Sequence, residues 1–151
     1  GSMSFLIDDN IDNDDKNTGL MFTGDTLFVN GIGRPDLRDS AKEFAENLYN
    51  TIQEKFMKLS NDLVILPAHF ENDVKASEVL SSTLGEIKEN SRYLDSNITK
   101  DEFIQRISSK VMPTPPNYQT IISINKGEKP LSLTSSEIFD LEMGPNRCSV
   151  S

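Results

Sequence analysis

Two compact apolar runs, each closing on a polar group, organise the first half of this chain. Leu20-Met21-Phe22 leads into Thr23-Gly24-Asp25-Thr26-Leu27-Phe28, and Val64-Ile65-Leu66 leads into Pro67-Ala68-His69. Between them Phe44, Leu48, Ile52, Phe56 and Leu59 recur at spacings of three and four, which predicts a helix over 41–59 with one buried face. Ser40 stands where an N-cap belongs, with Glu43 three residues on. The apolar runs predict strands over 19–22 and 63–66; the second is short, wholly apolar and of the kind buried on both faces. Strand, helix and strand in that order make one unit of an α/β layer.

Around this unit the pattern is more broken. Residues 4–7 predict a further strand. Residues 8–17 crowd aspartates and asparagines around Ile11 and read as a solvated hairpin turn. A calcium loop is the rival there, but the spacing lacks the central glycine and terminal glutamate of an EF-hand. Gly31, Gly33 and Pro35 make 30–36 a rigid irregular loop; no third glycine or immediate helix follows, so Gly31-Ile32-Gly33 is not a dinucleotide fingerprint. The polar stretch 71–80 is a loop or a short helix. Helices are predicted over 84–90, then after the capping sequence Thr99-Lys100-Asp101-Glu102 with Phe103, Ile104 and Ile107 inward, and again over 119–125 and 135–143. Three prolines keep 112–118 extended or turned. No internal repeat is present.

A length of 151 residues suffices for one domain with a real core. No apolar stretch reaches membrane-spanning length and no basic-then-apolar leader opens the sequence, so a soluble protein without a membrane partner is expected. The net charge of -9, from 24 acidic and 15 basic side chains, and the lack of a Lys/Arg stripe argue against nucleic acid as a partner. The single cysteine, Cys148, rules out an internal disulfide and favours a reducing, cytoplasmic setting. Cys148 is either a spectator or a thiol activated by a nearby cation, and Arg147 adjoins it in sequence only. Gly1-Ser2-Met3 is either an expression scar before a start methionine or native sequence.

Asp25 and His69 carry the chemistry. Ligands of α/β layers gather where strands end, and both residues stand at such ends. A carboxylate and an imidazole suit zinc or non-haem iron, but a catalytic metal takes three protein donors and an open position. His69 is the only histidine, so this chain cannot build such a shell alone. The alternative is structural: a tight Gly-Asp-Thr turn and a histidine that only hydrogen-bonds.

Taken together, Thr23-Gly24-Asp25-Thr26-Leu27-Phe28, Gly31-Ile32-Gly33-Arg34-Pro35-Asp36-Leu37 and Pro67-Ala68-His69 resemble the metallo-β-lactamase superfamily, and within it the glyoxalase II and persulfide dioxygenase branch. Ser82-Thr83-Leu84-Gly85-Glu86 with Asn90, Pro115-Pro116-Asn117-Tyr118 and Asn146-Arg147-Cys148 extend the resemblance along the whole chain. Even Gly1-Ser2-Met3-Ser4-Phe5-Leu6 resembles a stretch that follows one of the family's metal histidines, which favours native residues there.

The resemblance implies a four-layer αββα sandwich, of which residues 1–151 would be the second, carboxyl-terminal half. It makes Asp25 and His69 metal ligands. The family's His-x-His-x-Asp-His cluster and a further histidine are missing here, so the expected partner is the amino-terminal half of the same domain; a homo-oligomer through an exposed sheet face is the other. For the intact parent it implies oxidation of a thiol persulfide to sulfite and thiol at Fe(II), with a zinc thiolester hydrolase of glyoxalase II type as the alternative. The isolated chain would then be an inactive fragment or interaction half. Arg34 and Arg147 are the candidates for drawing a small anionic thiol; the alternative role of Arg34 is to brace its loop against Asp36 or Asp39. After His69 the persulfide dioxygenases carry a glycine-rich stretch, whereas this chain has Phe70-Glu71-Asn72-Asp73, which alters the pocket mouth.

Overall fold

The computed structural model describes residues 2–8, 19–36, 41–69, 80–109, 116–128, 132–143 and 149–150. The chain divides into two compact units, 1–111 with 148–151, and 112–147.

The first unit is built on a four-stranded mixed sheet. Strand β1 (Phe5–Asp8) pairs antiparallel with β2 (Gly19–Gly24), which pairs parallel with β4 (Val64–Pro67); β5 (Ser82–Thr83) closes the order β1-β2-β4-β5 antiparallel to β4. Helix α1 (Ala41–Glu54) lies between β2 and β4 in sequence, so the strand-helix-strand unit read from the hydrophobic pattern is present. A minor two-stranded pairing joins β3 (Ile32–Gly33) to β6 (Ser149–Val150).

Alternation decides which face of the sheet is core. Met21 and Ile65 point inward and are buried with Ala45 and Ile52 of α1, Leu84 and Ile87 of α2 (Leu84–Asn90), and Phe103 and Ile107 of α3 (Lys100–Ser108). Tyr49 and Tyr93 meet Phe103 edge to face, at 5.5 and 6.1 Å between ring centroids.

The opposite face is apolar and open. Phe5 stands across from Phe22 and Ile7 from Leu20, and their exposures of 59, 43, 55 and 41% are far above those of core side chains. Val64 and Leu66, in register with Leu20 and Phe22, continue this face half-buried. The expectation that this strand is buried on both faces is therefore corrected: helices cover only the Ile65 side. A mixed α/β unit with one bare sheet face is what part of a sandwich looks like.

Other boundaries shift for local reasons. The helix expected over 41–59 ends at Glu54 and tightens into a 3-10 turn at Phe56–Lys58, where Lys58 N–H reaches Lys55 O and Leu59 N–H reaches Phe56 O. The tightening sets Phe56 into the core, and the Lys88 ammonium caps the freed carbonyls of Met57 and Leu59 at 3.3 and 2.9 Å. Three short strands, β3, β5 and β6, stand where the sequence predicts none; two residues carry no periodicity, and Ile32–Gly33 lies in the stretch that reads as irregular loop. Thr99 caps α3 as expected, in a capping box with Glu102, and Thr83 with Glu86 does the same for α2.

In the second unit α4 (Tyr118–Asn125) begins one residue before its expected start and α5 (Ser135–Met143) matches. Asn117 Nδ2 donates to Asp140 O at 2.9 Å. The Ser40 cap, most of the 8–17 turn, the 71–80 stretch apart from Leu80, and 112–115 lie outside the described residues. Among those described, no helix is long and apolar enough to cross a membrane.

Candidate functional site

The site begins where β2 stops being a regular strand. Its register with β4 slips between Phe22 and Gly24, and Gly24 takes a φ of +54°, which a side chain would strain. Thr23, fully buried, locks the turn that follows: its Oγ1 donates to Leu27 O at 2.6 Å, while Thr26 N–H returns to Thr23 O at 3.1 Å. Asp25 sits at the apex. Gly33 N–H donates to Thr26 O at 3.1 Å, bringing β3 under the turn.

The neighbouring parallel strand delivers His69. Pro67 ends β4, and Ala68 N–H donates to Gly24 O at 3.2 Å, so the two strand ends are tied side by side. The outcome is a contact between residues 44 apart in sequence: His69 Nδ1 lies 2.5 Å from Asp25 Oδ1. Both side chains are about half exposed, 54% for His69 and 43% for Asp25, so the pair faces outward rather than into the core.

Arg34 follows from the loop beneath. Its side chain is fully buried and grips Asp36 with two bonds, Nε to Oδ1 at 3.0 Å and Nη2 to Oδ2 at 2.7 Å. This is the bracing arrangement with Asp36. Asp39, Phe70, Arg147 and Cys148 lie outside the described residues.

By kind, Asp25 and His69 suit zinc or non-haem iron. By number they fall short: among the described residues no group of three or more His, Cys, Asp or Glu side chains could hold a metal ion. In the structure the two side chains contact each other directly. Together they could supply two donors, short of the three that a catalytic metal takes.

Sequence reasoning missed the groups that hold Asp25. Ser2 Oγ accepts the Asp25 N–H at 2.9 Å and Ser4 Oγ donates to Thr23 O at 3.2 Å. No local pattern signals contacts that span about twenty residues. An open cleft lined by Met57, Asn61, Lys88, Arg92, Leu94 and Asp95 lies at the other end of β4. Its Lys88 ammonium spends its three donors on Met57 O, Leu59 O and Asn61 Oδ1, and desolvation lowers its pKa. That lysine is a structural cap.

Comparison with known proteins points the same way as the turn and the strand ends. The chain is 27% identical over 127 residues to the mitochondrial persulfide dioxygenase ETHE1 of Homo sapiens, covering 83% of this chain and 42% of that protein. The Mus musculus protein of the same name matches with the same identity and coverage. Among solved structures, a metallo-β-lactamase from Staphylococcus aureus matches with a TM-score of 0.64 and 28% identity, over 75% of this chain and 33% of that one. No protein-family model matches. The chain thus has part of a metallo-β-lactamase superfamily fold, distantly related at low identity to the persulfide dioxygenase and glyoxalase II branch. It spans about four-tenths of the length of the curated relatives it matches.

Proposed function

We propose that this chain forms one side of a metal-dependent, sulfur-oxidising centre of persulfide dioxygenase type, with Asp25 and His69 as two of the ligands to Fe(II). The observation that supports it is the meeting of the only histidine with a carboxylate at the ends of two parallel strands, in a chain distantly related to persulfide dioxygenases. Bound there, ferrous iron supplies the binding and activation of dioxygen. In the overall reaction the persulfide S–S bond breaks, the terminal sulfur is oxidised to sulfite with oxygens from one dioxygen and one water, and the thiol and two protons are released. Arg34 and Arg147 are the proposed anion-recognising side chains, Arg34 being also the brace of the loop beneath Asp25. A cytoplasmic setting rests on the single cysteine.

The remaining ligands belong to an amino-terminal half of the same domain. The bare face of Phe5, Ile7, Leu20 and Phe22 is the surface it would cover. That face also supports a second reading, in which this chain is a metal-free interaction half. The distant relation to the glyoxalase II branch keeps a zinc thiolester hydrolase as the competing activity.

The deciding experiment is made on the protein isolated from its own cells: intact mass, metal content, and oxygen uptake with a low-molecular-weight thiol persulfide. A longer polypeptide holding one iron and consuming oxygen is the expected result. Rapid thiolester hydrolysis without oxygen uptake would favour the zinc enzyme. A native chain of 151 residues without metal or turnover would leave the interaction half.

A further inference from the structure

The amino-terminal residues wrap onto the Gly24-Asp25 turn rather than leading away from it. Ser2 Oγ accepts the Asp25 N–H at 2.9 Å. A Cβ built on Gly24 would stand 2.5 Å from Ser2 Oγ and 2.9 Å from the Met3 carbonyl oxygen, so the segment fills the space that glycine leaves. Two residues on, Ser4 Oγ holds Thr23 O at 3.2 Å. The turn is therefore gripped from outside at its start and at its apex, by two hydroxyls spaced to lie on one side of an extended segment. Only Ser2 acts on Asp25 itself.

We infer that Ser2 is a positioning residue for Asp25: by accepting its amide proton, the Ser2 hydroxyl fixes the backbone at the turn apex and so aims the carboxylate at His69. The inference rests on the reading of Asp25 and His69 as a functional pair. The Asp25 N–H has its acceptor in Ser2 Oγ, and rotation of the backbone there would swing the Oδ1 that now meets His69 Nδ1. Asp25 is pinned on its carboxyl-terminal side by the bonds of Thr26 to Thr23 and of Gly33 to Thr26. On its amino-terminal side Ala68 N–H holds the Gly24 carbonyl and Ser2 Oγ holds the Asp25 N–H, the two polar groups of one peptide. The partner donates and Ser2 accepts, so threonine keeps the interaction while alanine and valine abolish it.

The test uses the full metal-free chain. Amide hydrogen exchange is read at Asp25, Thr26, Phe28 and Gly33, and the imidazole resonances of His69 are read at fixed pH; as the only histidine they need no sorting from others. Ser2→Ala is expected to speed Asp25 exchange about fivefold and to move the His69 resonances, while the other three amides change by less than about twofold. Ser2→Thr restores both signals. Ser4→Ala, which loosens Thr23 but not the Asp25 amide, leaves the Asp25 rate near its starting value. Unchanged Asp25 exchange in Ser2→Ala overturns the inference, as does an equal acceleration at all four amides, which would mark general loosening. Because no metal enters the readout, a later failure to find iron in the longer protein would refute the metal reading and leave this result standing.

Discussion

The backbone of Gly33 passes so close beneath Asp25 that a Cβ on Gly33 would collide with the Asp25 carbonyl oxygen. The obstacle is backbone and cannot swing aside as a side-chain tip would. Gly33→Ala is therefore predicted to push β3 and the turn apart, at a cost of ~1–3 kcal/mol, and to disturb the Asp25–His69 contact. Denaturant melts together with the His69 ring resonances check this. An alanine variant with an unchanged midpoint and unchanged resonances would mean that the loop yields freely.

Arg34 and Asp36 form a bidentate pair whose side chains are 0 and 8% exposed. Removing either partner leaves a charge without its counterpart in a buried place, which costs ~3–5 kcal/mol. Arg34→Ala is predicted to lose about that much, and Arg34→Lys to recover little, since an ammonium cannot make the two parallel bonds. A midpoint shift equivalent to less than ~1 kcal/mol would show that the pair does not brace the loop.

Asp25 and His69 are exposed enough to be changed without harming the fold. Asp25→Asn and His69→Ala are each predicted to alter stability by no more than ~1 kcal/mol. In a protein that carries the full ligand set, each should lower metal affinity by more than about tenfold and turnover with it. Asparagine keeps the size but loses the charge; alanine removes an imidazole that nothing else in this chain replaces. Metal analysis beside steady-state kinetics checks the prediction. Full occupancy and normal turnover in both variants would return the pair to a purely structural role.

The helix caps predict the acid limb of the stability curve. Ser82 and then Thr83 hold the Glu86 carboxyl below the usual glutamate value of 4.5, and Thr99 and Thr134 do the same for Glu102 and Glu137. A carboxyl whose folded value lies below its unfolded value contributes stability above the unfolded value and loses it as pH falls through the folded one. Melting temperature should therefore decline as pH drops below the ordinary glutamate range. Removing the titrating carboxyls with Glu86→Gln and Glu102→Gln should flatten that decline while lowering the plateau above it. An acid limb of unchanged steepness in the double variant would count against the caps as its source.

The sequence by itself determined the elements that local physics can specify. The spacing of Leu48 and Ile52 gave a helix and most of its inward side, since a 3.6-residue period is a property of neighbours in the chain, although Ala45 rather than Phe44 fills the core. Thr99 and Glu102 announced a helix start because capping closes within three residues. Gly24 and Asp25 marked a turn, and the resemblance attached to that turn pointed to the histidine it would meet. Tertiary structure decided everything that depends on partners distant along the chain. It brought His69 to Asp25 across 44 residues, tied Ser2 to the Asp25 amide across 23, and paired the Arg34 guanidinium with Asp36 inside a buried loop. It gave Ser82–Thr83 a strand conformation by pairing the two residues with β4, although two residues carry no pattern of their own. It also made Leu66 half-buried in a strand whose composition alone reads as buried on both faces. Apolar sequence states that a face seeks cover; only the packing shows which face has found it.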